Sequence, residues 1–383
     1  MRRVVVTGIG AVTPLGNTFA DSWESLLKGQ SGITELEGNW RVAGLLKGFD
    51  AGLYLSQKEV KSLDSFVHYA VASAVMAVED SALRRIPSGS AVIIGSGRGG
   101  MGAIERYYSS GRASAYMMSA TTVGMAASFA AKKTGFRGYA LGISNSCASG
   151  VNAIGEAFRL IRSGQADAAL AGGADAPVCK LSLEGYGVSG ALSKKNIMRP
   201  FDRQRDGFVL GEGACALVLE EYGRALKRGV RIYGEIAGYG QSVYPNETSP
   251  ESGAQAGAMK AALRDAGLSP KKIDYLCAHA TATRVGDASE AEAISAVFGR
   301  HNVLIGSIKA GTGHMIGASG ALETGAALMS LHTGIVPPII NLSEPDFGLN
   351  FIRGESRKIG ISSALVNSFG FGGVNAVLAL RAV

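Results

Sequence analysis

Asn145-Ser146-Cys147-Ala148-Ser149-Gly150, followed by the helical apolar spacing of Val151 to Ser163, has a partial copy further along the chain. Ala148-Ser149-Gly150 recurs as Ala318-Ser319-Gly320, and each triplet opens a helical stretch. Each stretch ends at a small hydroxyl residue and Gly, at Ser163-Gly164 and at Thr333-Gly334. Without a gap, six of the eighteen positions from 147 to 164 equal those from 317 to 334. Gly and Ala supply most of the identities, so chance and duplication both stand as explanations. Duplication predicts two similar α/β halves whose central helices face one another. The join falls near 222–232, where Tyr222 to Gly229 ends a helix and Ile232 to Ala237 reads as the next strand. The expected units are therefore 1–230, carrying Cys147, and 231–383.

Working outward, short β-rich runs alternate with longer helical patterns. Val4 to Gly8, Ala91 to Ile94, Ala168 to Ala171 and Ala214 to Leu219 read as buried strands. Phe66 to Asp80 has helical spacing. The alternation predicts an α/β architecture around a largely buried mixed sheet. The chain has 383 residues, 46% hydrophobic and 18% charged, ample for a large core. Its 54 Gly residues are spread out with no collagen period, which points to tight turns and close packing.

The formal charge of +7 raises the question of nucleic acid, but Lys and Arg are scattered and form no block or aromatic-interleaved stripe. A modest basic surface suits an acidic protein partner or an anionic cofactor arm. Cys147, Cys179, Cys215 and Cys277 show no metal-ligand spacing. The last three lie among apolar residues and read as reduced core positions, with an intracellular, cytoplasmic setting as the expectation. Met1 to Gly8 reads as a first strand rather than a signal peptide, and no apolar run is long enough to span a bilayer.

Four segments carry candidate chemistry. Cys147 is either a packed thiol or a nucleophile. Small neighbours and a helix start favour the nucleophile, with the helix dipole promoting thiolate. His279 follows the strand-like run Ile273 to Cys277, in a turn of small hydroxyl residues, either buried or aimed into a cleft. Lys309 and His314 share a Gly-rich bend entering an amphipathic helix that contains Glu323. The bend lacks the order GxxxxGK[ST] and is not read as a nucleotide site. Asn367 to Asn375 holds Phe369 and Phe371 in a Gly-rich loop whose amides can approach a substrate, or which is an ordinary turn. His68, His301 and His332 read as surface or packing residues.

In this order and spacing the four segments resemble the β-ketoacyl-acyl carrier protein synthases with a Cys-His-His triad, in the thiolase superfamily. Val4 to Asn17 is similar to the family's opening strand and turn. Arg199-Pro200-Phe201-Asp202 with Arg205 to Gly213 is similar to its central signature. The resemblance implies a five-layer α-β-α-β-α sandwich of two similar halves, usually dimeric. Initiating members usually carry Asn where this chain has His314. Biosynthetic thiolases use a second C-terminal cysteine, and none follows Cys277, so the elongating type fits best.

The resemblance further implies an acyltransferase in which Cys147 takes an acyl group from an acyl carrier protein. His279 and His314 would stabilise the enolate left when malonyl-carrier protein loses carbon dioxide. The backbone N–H groups of Cys147 and Phe371 would form an oxyanion hole. Lys309 and Glu323 would support the histidines and the electrostatics of the site. Phe371, Phe369, Thr281, Thr283, Glu323 and Met117 are the implied substrate-binding residues, with Met117 and Met118 near the tunnel end. Arg205, Arg112, Lys58 and Lys61 are candidates to receive the acidic carrier protein. The implied partner chain is a second copy or a related ketosynthase-like chain. No metal and no resident cofactor is expected, because phosphopantetheine arrives on the carrier protein.

The chain departs from the family pattern in places. Asn145-Ser146 replaces Thr-Ala before the cysteine, Ala280 replaces Gly after the first histidine, and Gly138-Tyr139 replaces Gly-Pro. In the loop from Gln241 to Pro250, Val243 and Asn246 stand where Asp and His are frequent. These departures point to a specialised chain: polyketide, polyene or unusual lipid. Two alternatives remain open, a non-catalytic partner that shapes the tunnel and a thiolase or acyltransferase using coenzyme A thioesters. The three intact triad residues argue against the first.

Overall fold

The structure is a computed structural model that describes residues 1–37, 41–244 and 250–383. Ten strands build its framework. In the first half these are β1 (Val4–Val12), β2 (Ser90–Gly95), β3 (Tyr139–Ile143), β4 (Ala168–Asp175) and β5 (Gly213–Glu221). In the second they are β6 (Gly234–Val243), β7 (Tyr275–Cys277), β8 (Leu304–Gly306), β9 (Ser363–Gly370) and β10 (Val374–Arg381). The first five lie in the order β3-β2-β4-β5-β1 and the second five in the order β8-β7-β9-β10-β6. Each half has the same pattern: its second strand runs parallel to both neighbours, and its last two pairings are antiparallel. β1 meets β6 over only three residue pairs, Val4 to Val6 against Ile236 to Gly234, which join the two sheets.

Helices complete five layers. α1 (Ser65–Asp80) and α2 (Gly124–Thr134) cover the outside of the first sheet. α4 (Ser252–Ala266) covers the outside of the second, with α5 (Arg284–Phe298) packed beside it. Between the sheets lie α3 (Ser149–Arg162) and α6 (Ser319–Thr333), each touching strands of both halves. This is the thiolase-like sandwich of two similar halves. Strands β1, β2 and β4 are buried along their whole length, which is why they read as unbroken apolar runs rather than alternating ones.

The repeated Ala-Ser-Gly has a packing cause. A β-carbon at Gly150 would stand 2.4 Å from the carbonyl oxygen of Gly317, and one at Gly320 would stand 2.6 Å from Val151. Glycine at both starts lets the central helices close on one another. One expectation needs correction: α6 is not amphipathic. All its residues except Met329, His332 and Thr333 are buried, because sheets lie on both sides of it. Among the described residues no helix is long and apolar enough to cross a membrane.

Candidate active site

Cys147 sits on a sharp turn between β3 and α3. Ser146 just before it takes a left-handed conformation, φ 53°. The Ser149 hydroxyl accepts from Asn145 N–H (2.9 Å) and donates to the Ser146 carbonyl (2.6 Å), tying the turn together. The Ser368 hydroxyl, from β9, donates to the Cys147 carbonyl at 2.9 Å. The thiol thus lies at the start of α3 yet is buried, 3% exposed.

The two histidines come from equivalent places in the second half, after β7 and after β8. The Glu290 carboxylate on α5 accepts from the backbone N–H of His279 (2.8 Å) and of Ala280 (2.7 Å), and from the Asn367 amide (2.9 Å). Asp287, one turn earlier, accepts from Ala282 N–H (2.9 Å) and Phe201 N–H (2.7 Å). These two acids hold a turn in which Ala280 and Ala282 both have positive φ, 45° and 63°. His314 is anchored by its N–H to the Val209 carbonyl, 2.7 Å. Its Nδ1 lies 3.1 Å from the Ser319 hydroxyl and its Nε2 3.1 Å from Cys147 Sγ. Ser319 Oγ already accepts from Met315 N–H, so its own proton is free for Nδ1. A ring that takes the Ser319 proton at Nδ1 carries its own proton on Nε2, facing the sulfur. The two imidazoles stand 5.5 Å apart at 80°.

Burial and charge set the protonation states. His279 and His314 are both held well below the usual imidazole value, first by burial and then by the positive Lys309, so both rings are neutral. Burial pushes the Cys147 thiol up, against the Ser146 hydroxyl and the charges of Lys309 and Arg98. The resting group is therefore a thiol. The expectation that the helix start alone would make it a thiolate is corrected by its burial. Lys309 closes on Glu323, both buried. Burial pushes the Glu323 carboxyl up to about 7, and the neighbouring Lys309 opposes that rise.

A cavity of about 400 Å³ brings Cys147, His279 and His314 together with Thr281, Thr283, Phe369 and Phe371. Phe371 is 47% exposed at its mouth, while a β-carbon at Gly370 would lie 3.4 Å from Cys147 N. The Gly-rich loop therefore runs directly over Cys147. Other expected site residues lie elsewhere. Glu323 does not line the cavity, because its carboxylate is spent on Lys309 inside the protein. Met117 lines a separate cavity of about 330 Å³ with Lys61 and Arg112, and Met118 points to solvent. Lys58, Lys61 and Arg112 are exposed. Arg205 is not a surface residue. It is 5% exposed and bonds Asp346, the Asp202 carbonyl and the Arg284 carbonyl, with Asp287 nearby. Asn246 lies outside the described residues.

Sequence reading passed over several groups that hold this site. Asp175, at the end of β4, accepts from the Ser96 hydroxyl and from the N–H groups of Gly97, Arg98 and Gly317, so one buried carboxylate ties the nucleophile's surroundings to the His314 segment. Asp287 and Glu290 had a usable signal, an acidic pair at i, i+3 on the helix just after His279. Asp175 and Ser319 had none. Cys147, His279 and His314 offer ligand atoms within 4.8 Å of one another, of the kinds that bind zinc, though a metal there would occupy the sulfur.

A buried thiol beside two neutral imidazoles, in a thiolase-like sandwich, is the residue set of a condensing or acyl-transferring enzyme of the Cys-His-His kind. The comparisons agree. Residues 1–225 match the family "Beta-ketoacyl synthase, N-terminal domain" and residues 233–343 match "Beta-ketoacyl synthase, C-terminal domain". The 3-oxoacyl-[acyl-carrier-protein] synthase 2 of Vibrio cholerae is 41% identical, with 99% of each chain covered. That of Synechocystis is 39% identical over 99% of this chain and 98% of its own. Among solved structures, the ishigamide ketosynthase/chain length factor superposes with a TM-score of 0.94 at 31% identity, covering 100% of this chain and 99% of the other. A type II polyketide ketosynthase, AntDE in complex with its acyl-carrier protein AntF, gives 0.91 at 32% identity, with 100% and 99% covered. The chain belongs to the β-ketoacyl synthase family.

Proposed function

We propose that this chain is an elongating β-ketoacyl-acyl carrier protein synthase, with Cys147 as the acyl acceptor. The carrying observation is Cys147 Sγ 3.1 Å from His314 Nε2, with the His279 ring on the same cavity. The sulfur attacks the thioester carbonyl of an acyl-carrier protein. A C–S bond forms, and the carrier's thiol leaves with the proton that Cys147 loses. Malonyl-carrier protein then enters and releases carbon dioxide, and its thioester oxygen carries the enolate charge. His314, with its proton on Nε2, donates to that oxygen, and His279 faces the same space. The enolate carbon attacks the acyl-Cys147 carbonyl. The backbone N–H groups of Cys147 and Phe371 receive the oxyanion, in a water-poor site where each such donor is worth about 3 kcal/mol. Collapse expels Cys147 as a thiolate, which takes up a proton from solvent to restore the thiol, and leaves a 3-oxoacyl chain on the carrier.

Lys309, closed on Glu323, acts through its field: after burial, its charge is the next influence that keeps both imidazoles neutral. The protein needs no resident cofactor in this scheme, since phosphopantetheine arrives on the carrier. Exposed Lys58, Lys61 and Arg112 are the surface cations offered to the acidic carrier protein, and Arg205 supports the fold beneath. The partner chain is a second copy or a related ketosynthase-like chain, and the setting is cytoplasmic. The test is direct. Cys147→Ser is incubated with radiolabelled acyl-carrier protein, and the label on the synthase is expected to vanish. Undiminished labelling would remove Cys147 from its role.

A further inference from the structure

The loop after β2 brings a cation against Tyr186, which packs in one cluster with Cys147. Gly97 and Arg98 are fixed there through their N–H groups on the Asp175 carboxylate. A β-carbon at Gly97 would lie 2.6 Å from Ile316 and 2.8 Å from the Ser146 carbonyl, so the loop presses on both the Cys147 turn and the His314 segment. From it the Arg98 guanidinium reaches the buried Tyr186. Nε donates to the Tyr186 hydroxyl at 2.5 Å, and Cζ stands 5.1 Å from the ring centroid. Tyr186 stacks on Phe371 (6.3 Å) and meets Phe208 edge-on (5.3 Å), and Phe208 meets the His314 ring edge-on (5.3 Å). The charge of Arg98 acts on Cys147 and on His314, which sets it electrically within the site.

Cys147 packs in one cluster with Leu183, Tyr186, Phe208 and Ile316. Among the described residues the Arg98 side chain has no carboxylate within ion-pairing distance and no hydrogen-bond partner besides Tyr186. A guanidinium has five N–H donors, and most of these are left without a protein acceptor. An alkyl chain laid against such a cation removes its water and returns nothing. A hydroxyl or carbonyl oxygen in the same place accepts a charge-assisted hydrogen bond.

We propose that Arg98, steadied by Tyr186, determines specificity for the acyl group on Cys147. It selects chains with an oxygen acceptor near the thioester, such as a 3-hydroxy or 3-oxo group, over saturated chains. The inference rests on Cys147 being the acyl acceptor. It also names the substrate class: a partly processed, oxygen-bearing chain, supplied by a carrier-linked condensation or ketoreduction that has not been followed by full reduction.

The experiment compares octanoyl-carrier protein with 3-hydroxyoctanoyl-carrier protein, which differ by one oxygen. Loading of Cys147 is followed over time by intact-protein mass spectrometry, for the wild type, Arg98→Leu, Arg98→Lys and Tyr186→Phe, each checked for folding by thermal melting. The wild type is expected to load the hydroxylated chain about tenfold faster, the scale of one hydrogen bond to a charged group. Arg98→Leu is expected to abolish or reverse that ratio, Arg98→Lys to retain part of it, and Tyr186→Phe to weaken it. Equal loading of the two chains by the wild type overturns the proposal. So does a ratio that survives Arg98→Leu while both rates fall together, since that assigns Arg98 to thiol ionisation alone. If Arg98→Leu does not fold, a full wild-type ratio in both Arg98→Lys and Tyr186→Phe overturns it as well. No mass gain on wild-type Cys147 from either chain is a different failure. It removes the acyl acceptor itself, and the selectivity with it.

Discussion

At Cys147 burial and charge pull in opposite directions. Burial is the larger influence and favours the neutral thiol, while Ser146, Lys309, Arg98 and the start of α3 favour the thiolate. A thiol whose titration is raised is ionised only in small part at neutral pH, and that part grows as pH rises. Inactivation by iodoacetamide should therefore accelerate about tenfold per pH unit from about pH 6 to about pH 8, with no plateau. Stopped rates at several pH values, read by mass on Cys147, check this. A plateau below neutrality would mean a thiolate at rest. The residue types here were plain in the sequence: a cysteine among small residues at a helix start, and two histidines after strand-like runs. Their protonation was not, because it depends on Lys309, Arg98 and the depth of burial.

At the level of elements, the site is two turns and two helix starts brought face to face. The turn from His279 to Thr283 shows how much of that is held from outside. Glu290 and Asp287 on α5 take three of its backbone N–H groups, and the Thr283 side chain caps the helix. This support keeps Ala280 in a left-handed conformation that suits glycine better. An L-residue there costs about 1–2 kcal/mol, while glycine gives back part of that through its freer unfolded chain. Ala280→Gly should therefore raise stability by about 0.5–1 kcal/mol in urea denaturation. A loss of more than about 1 kcal/mol would mean that the packed methyl outweighs the backbone strain. The alanine was visible as a departure from the family pattern. That it is strained, and what holds it, needed the positions of α5 and of the turn together.

For the whole molecule, the edge of the first sheet is the unfinished part. Among the described residues β3 pairs with β2 on one side only, and Tyr139 and Leu141 on it are exposed, at 52% and 37%. An open strand edge carrying large apolar side chains calls for a covering surface. Light scattering should give twice the 39.4 kDa chain mass, with the chain alone or with a related ketosynthase-like chain co-expressed. Tyr139→Lys combined with Leu141→Lys should shift either species to the single-chain mass. A monomer for the unaltered chain in both preparations would argue against the pairing.

Much of this protein was determined by residues close together in the chain. The alternation of strand and helix, the Ala-Ser-Gly echo that begins both central helices, and the placing of Cys147, His279 and His314 next to element ends are all short-range properties. They follow from local periodicity and from where small residues let a backbone turn. What only the tertiary structure decided is which groups meet across long separations: Glu323 with Lys309 instead of substrate, Arg205 with Asp346 instead of a partner, and Asp175 with both the 96–98 loop and Gly317. Arg98 with Tyr186 belongs to the same set. The first and third of these arise when two sheets close over α3 and α6, and a charge shut into that dry space must find a partner.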